Sequence, residues 1–264
     1  FSQIPLMPTI GNHESNFTGG KAKYYLDLFA LRQNGPAGFE EEFYSFEYGP
    51  VHVTVLNSWA LSGEQALSGA QLASLADWIK KDLTGSAKEW KVVLLHHPAY
   101  ALTSDKVSDQ VRKQWAPLWE EGGVNLVLCG HQHFYARSKP MYQGKVDDEK
   151  GITYVMGNSG QKFYSDADDR YQEVVIGNKS TYQVIHVTKD TLELKCFDRQ
   201  GVELDSWSLS AKGMVTGDVN GDSLVDLQDV RLVKEAILSR DYQGIMDVNT
   251  DGALNVRDAE LILN

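Results

Sequence analysis

The chain has 264 residues, 42% of them hydrophobic and 23% charged, which is the composition of a globular protein rather than a disordered one. It contains no run of about 18 apolar residues, which excludes a membrane-spanning helix. The formal net charge of −11 argues against a broad nucleic-acid surface, because phosphate backbones attract lysine and arginine. Two cysteines are too few for a disulfide framework.

Hydrophobic periodicity and turn residues predict both helices and strands along the chain. The predicted strands are residues 5–10, 43–48, 51–56, 92–95, 124–129, 181–187 and 192–197, the last two within a strand-rich region over 152–209. The predicted helices are residues 69–83 and 108–120, with helical spacing also near residues 24–29. Ser108 is the expected N-cap of the second helix.

Negative charge is concentrated towards the carboxyl end of the chain. Residues 213–264 hold ten acids and four bases, a net charge of −6, whereas residues 1–212 hold 26 acids and 21 bases, a net charge of −5. Acidic side chains at that density repel one another unless they are solvated or bind cations. A change of composition at Lys212-Gly213 predicts a domain boundary there, between residues 1–212 and residues 213–264.

A twelve-residue pattern occurs twice in the acidic segment, 29 residues apart. Oxygen-bearing side chains occupy positions 1, 3, 5, 9 and 12 of both copies, and position 7 would supply a backbone carbonyl. This spacing is typical of an EF-hand-like loop around Ca²⁺, which takes about six to eight oxygen ligands. Two copies in register favour calcium over the alternative of an acidic surface turn. The predicted ligands are Asp218, Asn220, Asp222, Leu224, Asp226 and Asp229 in the first loop, and Asp247, Asn249, Asp251, Ala253, Asn255 and Asp258 in the second.

The repeat resembles a type I dockerin, the module that attaches bacterial enzymes to cohesin modules on a scaffold protein. The resemblance covers residues 214–264 and implies a small all-α module organised by two Ca²⁺ ions. It also implies that positions 10 and 11 of each loop contact cohesin. Those residues are Leu227 and Gln228 in the first loop and Val256 and Arg257 in the second. Because the two pairs differ, the two faces need not bind the same partner.

Five of the seven histidines follow three short apolar segments that end abruptly. The three endings are Gly11-Asn12-His13-Glu14, His96-His97-Pro98 and Gly130-His131-Gln132-His133. Because ligand groups in open α/β sheets gather at the carboxyl ends of strands, we expect one shared site. Neutral imidazole is a common ligand for zinc, iron and related metals. The alternative, that each histidine is a satisfied polar residue at a strand end, is disfavoured by the arrangement of all five.

Taken in order, these motifs resemble the last three motifs of the calcineurin-like metallophosphoesterases. Residues 130–137 and the strand-rich region after them resemble the purple acid phosphatase branch, and the whole resemblance covers residues 1–209. It implies an α+β fold, a four-layer α/β/β/α sandwich of which this chain holds the carboxyl-terminal part. It also implies two transition metals (iron, zinc or manganese) about 3.5 Å apart, and in-line hydrolysis of a phosphate ester by metal-activated water.

The resemblance assigns roles position by position. The ligands of the second metal would be Asn12, His96 and His131. His133 would bind the first metal. His13 would contact the phosphate and help to protonate the leaving group. His97 would either contact the substrate or support a neighbouring ligand.

Four other residues are expected to be structural. His52 and His186 lie within strand patterns and have no such neighbours. Arg137 is expected to form a salt bridge rather than to hold phosphate. Cys129 is expected to be an inert core thiol, although a disulfide with Cys196 stays open.

Two earlier motifs of the family supply an aspartate for the first metal, an aspartate that bridges both metals and, in the purple branch, a tyrosine. All three lie upstream of the Gly-Asn-His-Glu motif, which begins at residue 11 here. We therefore expect the metals to be shared with an amino-terminal part of the same enzyme, either a piece released by cleavage or the first half of a larger protein; a truncated, inactive protein is the alternative. The start at Phe1 without a leader-like segment predicts a processed or trimmed chain.

These observations predict a secreted bacterial metal-dependent phosphoesterase, similar to acid phosphatases and attached to an extracellular cellulosome. Its expected partners are a scaffoldin cohesin, the amino-terminal part of the same enzyme and a phosphate-ester substrate, with no membrane or nucleic-acid partner. Activity is expected of the complete protein rather than of this fragment alone. The alternative is a catalytically inactive phosphoesterase fold that acts as a binding protein displayed through its dockerin.

Overall fold

A computed structural model of the chain describes residues 4–14, 22–61, 66–164, 167–211, 219, 225–239 and 256–262. The chain divides into two compact units, Phe1–Val184 with Lys195–Asp205, and Ile185–Leu194 with Ser206–Asn264. The predicted boundary at residues 212–213 lies outside the described residues. None of the described helices is long and apolar enough to cross a bilayer.

A mixed seven-stranded sheet forms the centre of the first unit. Its seven strands are β1 (Tyr44–Tyr48), β2 (Val51–Leu56), β3 (Trp90–Leu95), β4 (Leu126–Cys129), β5 (Tyr135–Ser138), β8 (Thr153–Met156) and β9 (Gln172–Ile176). Strands β6 (Met141–Tyr142) and β7 (Lys145–Val146) form a separate small hairpin. The order across the sheet is β1-β2-β3-β4-β8-β5-β9. Strands β2, β3, β4 and β8 are parallel neighbours, so the residues that follow them meet at one edge of the sheet.

The four predicted strands between residues 43 and 129 are confirmed as β1 to β4. The predicted strand at residues 5–10 is wrong, since this segment is irregular. Pro5 and Pro8 lack the N–H that a strand needs for its ladder. The segment is held instead by the Thr9 hydroxyl, which donates to the Leu56 carbonyl (2.9 Å), and by two tyrosine hydroxyls that donate to the Pro8 carbonyl.

The helices of the first unit are α1 (Lys23–Leu28), α2 (Gly69–Gly85), α3 (Lys106–Gln114) and α4 (Ala116–Gly122), with a 3₁₀ turn at Ser58–Leu61. Helix α2 begins with a capping box between Ser68 and Gln71. It buries one face, on which Leu75, Ile79 and Leu83 lie at helical spacing. The predicted helix over 69–83 is therefore confirmed.

The predicted helix over 108–120 forms two helices instead of one. Pro117 lies in the first turn of α4, where its missing N–H interrupts the hydrogen-bond ladder of a longer helix. The predicted N-cap is also wrong. Asp105 caps α3, because its carboxylate accepts the backbone N–H of Ser108 (2.9 Å) and the helix begins two residues earlier.

Large aromatic side chains hold these helices on the sheet. Trp115 and Trp119 are completely shielded from solvent, and the Trp115 ring packs edge-on against Phe43 at 6.5 Å between centroids. Burying one side chain of this size contributes roughly 1.5–3 kcal/mol. The helical layer is therefore fixed against the strands whose ends carry the predicted site.

A buried polar network ties α2 to the hairpin of β1 and β2. The carboxylate of Asp82 accepts hydrogen bonds from the hydroxyls of Ser45 and Thr54 and from Nε2 of His52 (2.9 Å). Burial opposes ionisation of Asp82, but these three donors outweigh it and hold its pKa below the usual range. The structural role predicted for His52 is thus confirmed.

Three further strands, β10 (Thr181–Val187), β11 (Thr191–Asp198) and β12 (Glu203–Ser210), form a second sheet in that order. The strand-rich region predicted after residue 152 is therefore confirmed, as is the α+β class. Arg137 forms the predicted salt bridge, through two hydrogen bonds to Asp205 at 2.8 and 3.0 Å. Cys129 and Cys196 are free thiols, so they form no disulfide.

Two helices that begin 29 residues apart belong to the second unit. They are α5 (Leu227–Ser239) and α6 (Val256–Leu261), and each begins at the tenth position of one predicted loop. They pack through an apolar cluster of Val230, Val233 and Ala236 with Ala259 and Ile262. The repeat in the sequence is therefore matched by a repeat of helices.

Candidate metal centre

The three histidine-bearing segments meet at the carboxyl edge of the parallel strands. His96 and His97 follow β3, and His131 follows β4 through Gly130. The ring nitrogens that these three histidines offer lie within 4.8 Å of one another. Asn12 reaches the same point from the turn at residues 11–14.

Three predicted ligand atoms converge on one position. Nε2 of His96 lies 2.9 Å from Oδ1 of Asn12 and 3.2 Å from Nδ1 of His131. Ligand atoms that are about 2.0–2.1 Å from a transition metal are themselves about 2.9–3.4 Å apart, by simple geometry. Both distances from Nε2 of His96 therefore lie in the range found between ligands that share one transition metal.

Burial prepares His96 for this role. Burial, which disfavours the charged form, lowers the pKa of His96 to about 4, and the charge of the neighbouring His131 adds to the shift. The ring is consequently neutral at physiological pH, which is the form in which imidazole binds metals.

The turn that carries Asn12 depends on a glycine. Gly11 donates its N–H to Oε2 of Glu14 (2.7 Å), and its Cα faces the ring of His96. A Cβ at position 11 would lie 2.9 Å from Nδ1 of His96, which is too close for a real contact. Only glycine lets the backbone approach the ring in this way.

His131 and His133 both lie in the left-handed region of backbone space, with φ of 73° and 57°. Between them, Gln132 is buried and anchors the turn. Its side-chain oxygen accepts the N–H groups of Leu102 (2.7 Å) and Thr103 (3.1 Å). The turn is thereby held in an unfavourable conformation that directs the two rings differently.

His133 lies outside the group formed by His96, His97 and His131. Its Nδ1 donates to the carbonyl of Lys162 (3.2 Å), and its ring packs on Tyr164 at 4.8 Å between centroids. Because a carbonyl can only accept, Nδ1 bears the proton, which leaves a lone pair on Nε2 of the neutral ring. Burial and the charge of Lys162 lower the pKa of His133.

His13 is exposed in the turn at residues 11–14, where it borders a cavity of about 400 Å³ together with Glu14 and Tyr25. It is close enough to the predicted ligands for its charge to lower the pKa of His96 and of His133, after larger contributions from burial. The structure therefore places an exposed imidazole beside the ligand group.

His97 is almost fully buried, with 1% of its surface exposed. Its Nδ1 is hydrogen-bonded to the hydroxyl of Ser58 (2.8 Å), and Trp59 stacks on the ring. Its Nε2 has no hydrogen-bond partner within the described part of the chain. Burial, followed by the charges of His131 and His96, holds its pKa well below the usual range.

Asp105 is a member of this site that the sequence analysis missed. Its Oδ2 accepts Nε2–H of His131 (2.8 Å), while its Oδ1 accepts the N–H of Ser108. Burial opposes its ionisation, but these two hydrogen bonds outweigh it and keep the pKa of Asp105 far below the usual range. An N-cap signal before α3 could have identified the residue, but not its contact with His131.

Most predicted calcium ligands lie outside the described residues: Asp218, Asn220, Asp222, Leu224, Asp247, Asn249, Asp251, Ala253 and Asn255. Asp226, Asp229 and Asp258 are described, and the last two are completely shielded from solvent. Oδ1 of Asp229 accepts the N–H of Val219 (2.6 Å) and Oδ2 accepts the N–H of Asp226 (2.8 Å). This carboxylate thus joins the end of its loop to an earlier part of the same loop.

The predicted cohesin-binding residues lie at the starts of the two helices. Leu227 and Gln228 open α5 with exposed side chains, and 71% of the surface of Leu227 is exposed. Val256 and Arg257 open α6, but their side chains lie outside the description.

Comparison with known families gives two matches. Residues 1–135 match the family model of the calcineurin-like phosphoesterases, and residues 216–264 match that of the type I dockerin domain. The first match contains the three histidine-bearing motifs and the second contains both calcium-loop repeats.

Similar proteins have been found in bacteria and plants. An uncharacterised protein of Mycobacterium tuberculosis is 30% identical over 150 residues, which cover 52% of this chain and 28% of the relative. Purple acid phosphatase 15 of Arabidopsis thaliana is 26% identical over 168 residues, covering 61% of this chain and 30% of the relative. The matched part of the chain thus spans less than a third of either relative.

Two solved structures have the same fold. The purple acid phosphatase from yellow lupin (Lupinus luteus) seeds superposes with a TM-score of 0.56 at 18% identity, over 76% of this chain and 40% of that one. GAP50, described as the anchor in the inner membrane complex of Plasmodium, superposes with a TM-score of 0.51 at 14% identity, over 64% and 53% of the two chains. At these identities the likeness establishes the fold alone.

Proposed function

Because the chain belongs to the calcineurin-like phosphoesterase family, we propose that the complete protein is a metal-dependent hydrolase of phosphate esters. The observation that carries this proposal is the convergence of an amide oxygen and two imidazole nitrogens from Asn12, His96 and His131. These atoms come from three separate segments of the chain, which is typical of a ligand-binding site rather than of polar residues that are neighbours in sequence. The similarity to plant purple acid phosphatases supports the purple acid phosphatase branch of this family.

We assign Asn12, His96 and His131 to one transition metal and His133 to a second one. A dinuclear centre needs further ligands, which in this proposal come from a segment outside residues 1–264. When bound, such metals supply Lewis-acid stabilisation of the charge that develops on a phosphoryl group.

The other two histidines have different roles in this proposal. His13, exposed beside the ligand group, donates a proton to the leaving-group oxygen. His97 is almost fully buried, with one ring nitrogen fixed by Ser58, and in this proposal it supports the neighbouring ligands His96 and His131. Trp59, stacked on the His97 ring, keeps the ring in this orientation.

Replacing His13 by alanine in the full-length protein should lower kcat by about 10²- to 10⁴-fold while zinc affinity is retained. The loss should be larger for phenyl phosphate than for p-nitrophenyl phosphate, because a poorer leaving group depends more on protonation. Steady-state kinetics with both substrates and zinc titration measure these effects. His186→Ala, an exposed histidine on β10, is the matched control. Equal losses for the two substrates would contradict the proton-donor role.

A non-enzymatic role is the competing possibility, since the fold also occurs in a protein described as an anchor. In that case the wild-type protein would bind zinc at its histidines but would hydrolyse neither phosphate ester. Kinetics of the metal-loaded full-length protein therefore distinguish the two functions without any mutation.

We propose further that the type I dockerin region attaches the protein to a cohesin in a Ca²⁺-dependent manner, and that the protein works outside the cell as part of a cellulosome. Leu227 is 71% exposed at the start of α5, so its side chain is accessible to a partner at the position where the dockerin resemblance implies cohesin contact. The acidic loops before α5 and α6 carry the proposed calcium ligands, whose negative charge Ca²⁺ would neutralise.

The double variant Leu227→Glu/Val256→Glu should weaken cohesin binding on the order of tenfold or more, because an unpaired charge enters both proposed contact faces. Calorimetric titration with cohesin modules in Ca²⁺ measures the effect, and a calcium chelator should abolish the wild-type signal. Val202→Glu, at a valine that is 55% exposed in the first unit, is the control and should bind normally. Unchanged affinity of the double variant would refute the assigned contact residues.

A further inference from the structure

We propose that Asp105 is a positioning residue for the metal centre, which holds the His131 ring so that its Nδ1 lone pair faces Asn12 and His96. This inference rests on the proposed metal site and deepens it. Asp105 does not touch the metal or the substrate in this proposal. It acts through His131, whose Nε2–H donates a hydrogen bond of 2.8 Å to Oδ2 of Asp105.

The two oxygens of the Asp105 carboxylate accept hydrogen bonds from different groups. Oδ1 accepts the N–H of Ser108 at 2.9 Å and thereby caps α3. Oδ2 lies 2.8 Å from Nε2 of His131, which is 26 residues away in sequence. A helix cap needs only one acceptor, and serine, threonine or asparagine would serve equally well. An acidic side chain also supplies a second acceptor oxygen, and in Asp105 this second oxygen is the one that binds His131.

The hydrogen bond defines which nitrogen of His131 carries the proton. A carboxylate can only accept, so Nε2 of His131 is the donor. In the neutral ring Nδ1 then bears the lone pair, and it is Nδ1 that lies 3.2 Å from Nε2 of His96. A ring held in the other tautomer would present an N–H to the metal position.

The contact is shielded and rigid. The side chains of His131 and Asp105 are only 20% and 16% exposed, so water competes weakly for their hydrogen bond. Asp105 is fixed by its role at the helix terminus, and His131 is fixed by a left-handed backbone. Carboxylates placed in this way behind metal-binding histidines typically contribute about 10- to 100-fold in metal affinity.

Asp105→Asn separates the two roles of the residue. Ser108 N–H requires an acceptor, so the amide oxygen of asparagine stays at the cap and its NH₂ group faces Nε2 of His131. Two donors cannot bond to each other, so Nε2 of His131 must become the acceptor. The ring proton then moves to Nδ1, which faces the metal position. Asp109→Asn is the matched control, because it removes the same charge from an exposed position in the first turn of the same helix.

The test uses the full-length protein and Zn²⁺ as the probe. Competition with a chromophoric chelator measures the Kd for zinc, and ¹⁵N chemical shifts of the His131 ring in the metal-free protein at pH 8 report the tautomer. We expect Asp105→Asn to weaken zinc binding by about 10- to 100-fold and to move the ring proton from Nε2 to Nδ1. The metal-free Asp105→Asn variant should melt cooperatively but below the wild type, because the hydrogen bond from His131 also stabilises the fold. Asp109→Asn should leave the zinc Kd and the tautomer unchanged.

An unchanged tautomer, or a zinc Kd within about twofold of the wild type, would overturn the inference and leave Asp105 as a helix cap. Because the tautomer is read in metal-free protein, this result stands even if the wild type proves unable to bind zinc or to hydrolyse phosphate esters. Failure of those two wild-type measurements would count against the proposed function instead.

Discussion

Replacing His96 by alanine is expected to abolish zinc binding at the three-residue centre and to lower phosphate-ester hydrolysis on the order of 10³-fold or more. The reason is geometric, since Nε2 of His96 is the atom that both Asn12 and His131 approach, at 2.9 and 3.2 Å. Without it, the two remaining ligands have no common neighbour. Metal stabilisation of a phosphoryl transition state is worth several kcal/mol, and each 1.4 kcal/mol is about tenfold in rate.

Two measurements check this result. Calorimetric titration of the full-length protein with zinc gives stoichiometry and affinity, and hydrolysis of phenyl phosphate gives the rate. His186→Ala makes the same chemical change at an exposed position on β10 and should leave both values unchanged. Retention of wild-type zinc stoichiometry by His96→Ala would rule out the proposed ligand set.

Asp82→Asn is expected to lower the free energy of unfolding by about 3 kcal/mol at neutral pH. The carboxylate accepts hydrogen bonds from Ser45, His52 and Thr54, whereas an amide supplies only one acceptor group and adds a donor that faces other donors. At least one buried polar hydrogen is therefore left without a partner. Urea unfolding followed by tryptophan fluorescence measures the change.

The destabilisation should depend on pH in a defined direction. The folded-state pKa of Asp82 lies below the value of about 3.9 expected in the unfolded chain. Its contribution to stability is therefore fully present above that value and is lost as the pH falls through the folded-state pKa. The difference between wild type and Asp82→Asn should be constant above about pH 5 and shrink below about pH 4.

Asp77→Asn is the control for this experiment, because Asp77 lies on the same helix with an exposed side chain. It should change stability by less than about 0.5 kcal/mol at any pH. A pH-independent difference between wild type and Asp82→Asn would show that the charge of Asp82 does not contribute.

Local periodicity is sufficient to predict strands β2, β3 and β4, which are short apolar runs with sharp ends. Their parallel pairing is seen only in the structure. The sequence also predicted that Asn12, His96 and His131 would lie together, since they follow segments that end abruptly. Their individual roles stay predictions.

Features that depend on distant pairs could not be predicted. Asp82 and His52 are 30 residues apart, and Asp105 and His131 are 26 residues apart, so no local pattern links them. Asp105 resembles an ordinary surface residue before a helix, and Ser108 is an equally acceptable cap by residue type. The apolar content of residues 5–10 is typical of a strand, but Pro5 and Pro8 lack the N–H that a strand ladder needs, and the segment is irregular.

The left-handed backbone at His131 and His133 has a consequence for protein engineering. A residue other than glycine in this region costs about 1–3 kcal/mol, and the chain accepts that cost at two proposed ligands that flank an anchored glutamine. Selection for heat resistance alone would favour glycine or asparagine at these two positions and would remove the imidazoles. Directed evolution of this protein would therefore have to impose metal binding and thermal stability together, because this turn places the two traits in opposition.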